Sequence, residues 1–185
     1  WQYWRPYSGG IAVLELYIGG ARSGKSRLAE QRISGGADDA QRIYIATATA
    51  GDEEMTARIA HHQYQRRNDG WQTIEAPEEL AAAIRRHATP STAILVDCLT
   101  LWLSNWLMKD DLKSWQTERD EFYQVLRRAE GRIVLVSNEV GQGIVPLGTL
   151  SRQFVDESGR LHQDLAAMAD RVVLVTAGLE QVLKG

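Results

Sequence analysis

Residues 17–26 read YIGGARSGKS, and the run of Gly19, four residues, Gly24, Lys25 and Ser26 fits the phosphate-binding pattern G-x-x-x-x-G-K-[ST]. The two glycines let the backbone curl until several N–H groups point at one anion. Lys25 then reaches the β- and γ-phosphates of a nucleoside triphosphate as a point charge, and the Ser26 hydroxyl ligates Mg²⁺. The flanks are what such a loop requires. Residues 11–18 (IAVLELYI) read as a buried strand. Residues 26–33 (SRLAEQRI) read as a helix whose N-terminal dipole favours phosphate.

Further strands are expected at 42–46 (RIYIA), 93–97 (AILVD), 132–137 (RIVLVS) and 171–176 (RVVLVT), all short and rich in β-branched residues. Between them lie helical patterns at 26–33, 53–67, 77–87, 99–108, 114–130 and 149–168. This alternation predicts an α/β fold with a mostly parallel central sheet flanked by helices, and ligands at the carboxyl ends of the strands. A chain of 185 residues suits one domain, placed at 13–185. Residues 1–12 are expected to be an extension outside it. Their opening, WQYWRPYSGG, lacks the charged-then-apolar order of a secretory signal.

Net charge is −3, without a run of Lys or Arg, which argues against nucleic acid or an anionic membrane as the main partner. The longest mainly apolar stretch, 94–108, is interrupted by Asp97, Thr100, Ser104 and Asn105, so no membrane span is expected. The single cysteine, Cys98, excludes an internal disulfide framework and fits a reducing cytoplasm. With no His beside it in sequence, Cys98 reads as a small buried residue.

Asp97 closes the run AILVD, where phosphoryl transfer needs a second metal-binding group; its other reading is the N-cap of the apolar segment that follows. In DEEMTARIAHHQYQRR, residues 52–67, Met55, Ile59 and His62 fall at i, i+4 and i+7. His62 therefore shares the inward face, either as a nucleophile or as a hydrogen-bonded core residue. His61 is turned about 100° away, which argues against one ion held by both. Arg58 and Arg66 flank His62 at i−4 and i+4, an arrangement suited to a phosphate-bearing ligand or to a solvated face paired with Asp52, Glu53 and Glu54. ATAT (46–49) and SNEVGQGIVP (137–146) leave strand carboxyl ends, as ligand loops or plain turns.

Together, GGARSGKS, YIATA followed by GDEEMTARIAHHQ, WQTIEAP, ILVDCLTLWLSN, VLVSNEVGQGIVP and DESGRLHQDLAAMADRVVLVTAGL resemble one family. It is the bifunctional adenosylcobinamide kinase and adenosylcobinamide-phosphate guanylyltransferase family of cobalamin biosynthesis. The resemblance implies a single P-loop, RecA-like domain, usually assembled as a homotrimer. It implies two reactions: phosphorylation of adenosylcobinamide by ATP or GTP, then transfer of GMP from GTP, through a guanylylated histidine, to adenosylcobinamide phosphate. The family's nucleophile pattern falls on Arg58, Ile59, His62 and Arg66, so His62 is the expected catalytic residue and His61 the runner-up. Nucleotide contacts are implied at Gly19, Gly20, Ala21, Arg22, Ser23, Gly24, Lys25 and Ser26, at Thr47, Ala48 and Thr49, at Gln63, Tyr64, Gln65 and Arg66, and at Glu75 and Asp97. Mg²⁺ is expected on Ser26 and Asp97. One departure is visible: where relatives commonly read GRLNQ, this chain has His162 in GRLHQ. No N-K-x-D guanine signature is present, so the preference for GTP follows from the resemblance alone. The competing readings are a plain P-loop small-molecule kinase, and a regulatory or assembly NTPase with oligomer contacts through Trp102 and Trp106.

Overall fold

The computed structural model describes residues 13–35, 40–49 and 69–185. The expected helix at 53–67 and the extension at 1–12 lie outside the described residues. The chain runs β1 (Val13–Gly19), α1 (Lys25–Ser34), β2 (Gln41–Ala46), β3 (Trp71–Glu75), α2 (Leu80–His87), β4 (Thr92–Asp97), α3 (Leu99–Leu107), α4 (Leu112–Arg128), β5 (Arg132–Asn138), α5 (Thr149–Met168), β6 (Arg171–Thr176) and β7 (Leu179–Lys184).

The strands form one sheet in the order β3-β2-β4-β5-β1-β6-β7, parallel throughout except for the antiparallel β6–β7 pair. This is the expected mostly parallel α/β sheet, with β1 held between β5 and β6. Alternation along the central strands divides the core. Leu14 and Leu16 face Ile94, Val96, Trp102, Trp115 and Phe122, in the layer covered by α2 to α5. Tyr17 faces Ala29 and Ile33 of α1, with Tyr44, Leu95, Val134 and Val136. Glu15 lies on that second side, 1% exposed, and is neutralised by Arg32 Nε at 3.0 Å and Arg132 Nη2 at 2.6 Å. Three elements, β1, α1 and β5, are thereby tied through one carboxylate.

Two strands went unrecognised in the sequence. β3 is an edge strand whose residues are mostly half-buried or exposed, so WQTIE carries little alternation. β7 is exposed along its whole length and follows β6 through Ala177 and Gly178, both at positive φ (52° and 77°), as a two-residue hairpin turn requires. Helix starts also moved. α2 begins at Leu80 rather than 77, because Pro77 and Glu78 belong to the preceding loop, and Glu118 Oε1 of α4 accepts the Ala81 N–H at 3.1 Å. α4 begins at Leu112, where the Asp111 side chain accepts the Ser114 N–H.

Candidate active site

The parallel register brings the strand ends to one edge of the sheet. Gly19 pairs with Asn138, Ala46 with Asp97, and Ala46 also with Glu75. Between Gly19 and Asp97 lies only β5, so two interstrand spacings, about 10 Å, separate them.

The P-loop takes the conformation its glycines allow. Gly24, at φ 94°, caps α1 in the left-handed region, and Arg22 is also left-handed at φ 57°. At Gly19 the constraint is space, since a Cβ there would come to 2.4 Å of Val175 O and 2.8 Å of Ser23 Oγ. Ser23 N–H donates to Gly20 O at 3.2 Å, and Gly178 N–H to Ser23 O at 2.8 Å, so the turn between β6 and β7 buttresses the loop. Lys25 is buried, its ammonium donating to Gly20 O at 3.1 Å. Gly20, Ala21 and Arg22 are exposed and Ser26 half-buried, at the N-terminus of α1 where an anion is favoured. The Ser23 hydroxyl is buried without a hydrogen-bond partner among the described residues, a donor that a phosphate oxygen would satisfy.

Asp97, half-buried, ends β4 and does not cap α3: Cys98 holds the N-cap position. The Asp97 carboxylate instead accepts the Tyr44 hydroxyl at 2.8 Å. This donor set fits Mg²⁺. Among the described residues no cluster of three His, Cys, Asp or Glu side chains exists, and Mg²⁺ is commonly bound by one or two protein oxygens together with substrate phosphates.

Thr47 is fully buried, and its hydroxyl both donates to Cys98 O at 2.7 Å and accepts Cys98 N–H at 2.9 Å. That hydroxyl is committed to joining β2 to β4; Ala48 is half-buried and Thr49 exposed. The Cys98 thiol lies 3.1 Å from Thr100 Oγ1, which in turn accepts Asn138 Nδ2 at 3.1 Å. Burial, then the charge of Asp97, push the thiol upward from its ordinary pKa, so Cys98 stays a neutral thiol, as a buried structural cysteine should. Glu75 is exposed at the end of β3.

After β5, the Glu139 N–H donates to Gly19 O at 2.9 Å, and the loop then runs exposed past Ile144 and Leu147, at 99% and 96% exposure. Beneath it His162 of α5 is buried, with Nε2 2.7 Å from Ser137 Oγ. Burial depresses its pKa against the opposing pull of Glu139, which keeps the imidazole neutral at pH 7. Arg58, His61, His62, Gln63, Tyr64, Gln65 and Arg66 lie outside the described residues.

Sequence reasoning missed Tyr44, Thr100 and Asn105 as neighbours of the site. A tyrosine in a buried strand has a hydroxyl to satisfy, which was the available signal for Tyr44. Elsewhere, a groove of about 410 Å³ between α4 and α5 is lined by Arg119, Tyr123 and Asp164. Its polar groups bond one another, Tyr123 to Asp164 at 3.0 Å and Arg119 to Asp120 at 3.0 Å.

A family model described as cobinamide kinase / cobinamide phosphate guanyltransferase matches residues 15–183. The bifunctional adenosylcobalamin biosynthesis protein CobP of Pseudomonas aeruginosa is 52% identical over 172 residues, covering 92% of this chain and 97% of its own. The bifunctional adenosylcobalamin biosynthesis proteins CobU of Salmonella typhimurium and Escherichia coli are 42% and 39% identical, each over 93% of this chain and all of theirs. Among solved structures, the flagellar accessory protein FlaH of Methanocaldococcus jannaschii superposes with a TM-score of 0.52 at 12% identity, over 93% of this chain and 78% of that one, a likeness of fold alone. By the span of the family match and the identity to these relatives, the chain belongs to the cobinamide kinase / cobinamide phosphate guanyltransferase family.

Proposed function

We propose that this chain performs both reactions of its family on one sheet edge, the second through His62. The observation that carries the reading is the P-loop geometry beside Asp97: a left-handed Gly24, the buried Lys25 and the half-exposed Ser26, two strands from a carboxylate oriented by Tyr44.

In the first reaction the aminopropanol hydroxyl of adenosylcobinamide attacks the γ-phosphorus of ATP or GTP. The bond to the β–γ bridging oxygen breaks, leaving a nucleoside diphosphate. The loop N–H groups and Lys25 stabilise charge on the transferring group, Lys25 exchanging the Gly20 carbonyl for a phosphate oxygen. Ser26 and Asp97 would hold Mg²⁺, which would supply further neutralisation of that charge. In the second reaction the neutral imidazole of His62 attacks the α-phosphorus of GTP, forming a P–N bond as pyrophosphate leaves. The phosphate of adenosylcobinamide phosphate then attacks the same phosphorus, which releases His62 and gives adenosylcobinamide-GDP. Splitting the transfer this way avoids bringing two polyanions together in one step.

Gly19 to Ser26, Thr47 to Thr49, Gln63 to Arg66, Glu75 and Asp97 are assigned as nucleotide contacts. For Thr47, fully buried with its hydroxyl held by Cys98 and its N–H and carbonyl bonded to Asp97 O and Asn105, the role assigned is placement of Ala48 and Thr49 against the nucleotide. A homotrimer in the cytoplasm completes the proposal. Exposed Ile144, Val145, Leu147 and Leu150 on one stretch support association between copies, and no helix among the described residues is long and apolar enough to cross a membrane.

The test is incubation of the protein with Mg²⁺ and α-labelled GTP. Protein-bound label that is acid-labile and base-stable, and that leaves on addition of adenosylcobinamide phosphate, is expected. Phosphorylation of adenosylcobinamide without protein-bound label would reduce the protein to a plain kinase.

A further inference from the structure

Helix α3 lies against the loops that follow β2 and β3, and its polar side chains hold both. The Asn105 side-chain amide donates to Thr47 O at 2.9 Å and to Pro77 O at 2.9 Å, so both its N–H bonds are in use. Trp102 Nε1 and Trp106 Nε1 both donate to Glu78 O, at 2.8 and 3.2 Å, and Lys109 Nζ meets the Glu78 carboxylate at 2.5 Å. Residues 102, 105 and 106 stand at i, i+3 and i+4, one face of the helix.

Within this set Asn105 differs, because it reaches both loops at once. The backbone ladder between β2 and β3 closes with Ala76 N–H on Ala46 O at 2.9 Å. Past that bond, among the described residues, the Asn105 amide bridges the two segments at Thr47 O and Pro77 O. Packing alone gives no reason for an amide here, since Leu99, Trp102, Leu103 and Leu107 of the same helix supply the core. One bridged loop carries Thr47 to Thr49, and the other follows directly on Glu75 at the end of β3. From Thr49 the chain runs directly into residues 50–68, which contain His62, and it returns through β3. The P-loop is braced separately, by Ser23 N–H on Gly20 O and Gly178 N–H on Ser23 O.

We infer that Asn105 is a positioning residue for nucleotidyl transfer: its two amide hydrogen bonds fix the spacing of the loop after β2 from the loop after β3, and so the placement of the guanine nucleotide between them. The inference rests on the guanylyl-histidine reading above. It separates the two activities, because the γ-phosphoryl transfer depends on the P-loop and Asp97, whereas attack at the α-phosphorus depends on how the rest of the nucleotide is set.

The experiment compares Asn105→Ala and Asn105→Asp with the unaltered protein. Aspartate is nearly isosteric but turns oxygens toward two carbonyl oxygens. For each, thermal unfolding, phosphorylation of adenosylcobinamide by ATP, and the rate of covalent labelling at saturating α-labelled GTP are measured. Kinase turnover is expected within about twofold of normal, while labelling slows by roughly 10- to 100-fold, since a misplacement of about 1 Å costs up to ~10²-fold in rate. Where alanine does not fold, Asn105→Gln, with the same donors on a longer stem, carries the same expectation. Unchanged labelling in a folded variant, or both activities falling in step with the folded fraction, overturns the inference. Absence of label on the unaltered protein would instead refute the guanylyl-histidine reading itself.

Discussion

Replacing Tyr44 with phenylalanine tests whether Asp97 is the metal-side carboxylate. The Tyr44 hydroxyl donates to Asp97 Oδ2 at 2.8 Å, and its ring, 3% exposed, packs edge-on against Trp71 at 6.2 Å between centroids. Tyr44→Phe keeps the ring and this contact and removes only the donor. A hydrogen bond to a charged acceptor contributes about 1.5–3 kcal/mol. Asp97 is half-buried, so water replaces part of the loss and the lower end, about 1.5 kcal/mol, applies. If Asp97 holds Mg²⁺, losing the hydroxyl that orients it frees the carboxylate rotamer, and removing such an outer-shell partner costs about 10-fold or more in metal affinity. The assay is adenosylcobinamide kinase turnover against Mg²⁺ concentration, beside urea unfolding. The half-saturating Mg²⁺ concentration is expected to rise about tenfold, with turnover at saturating Mg²⁺ within about twofold of normal. An unchanged Mg²⁺ dependence in a variant that has lost about 1.5 kcal/mol of stability would refute the argument. The Tyr44–Asp97 bond would then be part of the scaffold only.

Gly19→Ala places a Cβ 2.4 Å from the Val175 carbonyl oxygen, a backbone atom that cannot rotate away. Overpacking of this kind costs about 1–3 kcal/mol and moves the loop, so denaturant unfolding should register that loss, with nucleotide binding by equilibrium dialysis weakened alongside it. His162, kept neutral by burial, has a folded pKa below its unfolded value, so the unfolded chain binds more protons between the two. Its contribution is therefore complete above about pH 6.5 and is lost as pH falls from there through the depressed folded pKa. Melting temperature should decline below that pH in the native chain. The His162-dependent part of the decline should vanish in His162→Asn, while His162→Ala orphans Ser137 Oγ at a cost of about 1–3 kcal/mol.

Much of the candidate site's geometry was legible because a phosphate-binding pattern constrains the backbone so tightly. The spacing of Gly19, Gly24, Lys25 and Ser26 demands a strand, a turn and a helix in that order, and β1 and α1 supply them. Asp97 was legible for a similar reason, as the last residue of a buried apolar run. Thr47 reads in sequence as part of a ligand loop or a plain turn, and nothing local reveals that its hydroxyl is consumed by the Cys98 backbone, a contact formed across 51 residues of sequence. Asn105 was hidden by company: inside LWLSNWL it interrupts an apolar pattern, and only the tertiary fold brings the two carbonyls to it. β7 escaped because its exposed residues record no core-facing period, only the glycine of its turn.

Whether GMP passes through His62 is read most plainly from covalent labelling by α-labelled GTP in His62→Ala and His61→Ala. Loss of all acid-labile label in His62→Ala, with label and kinase turnover retained in His61→Ala, is the predicted result. Label persisting on His62→Ala would contradict it, and loss in His61→Ala alone would move the nucleophile by one residue.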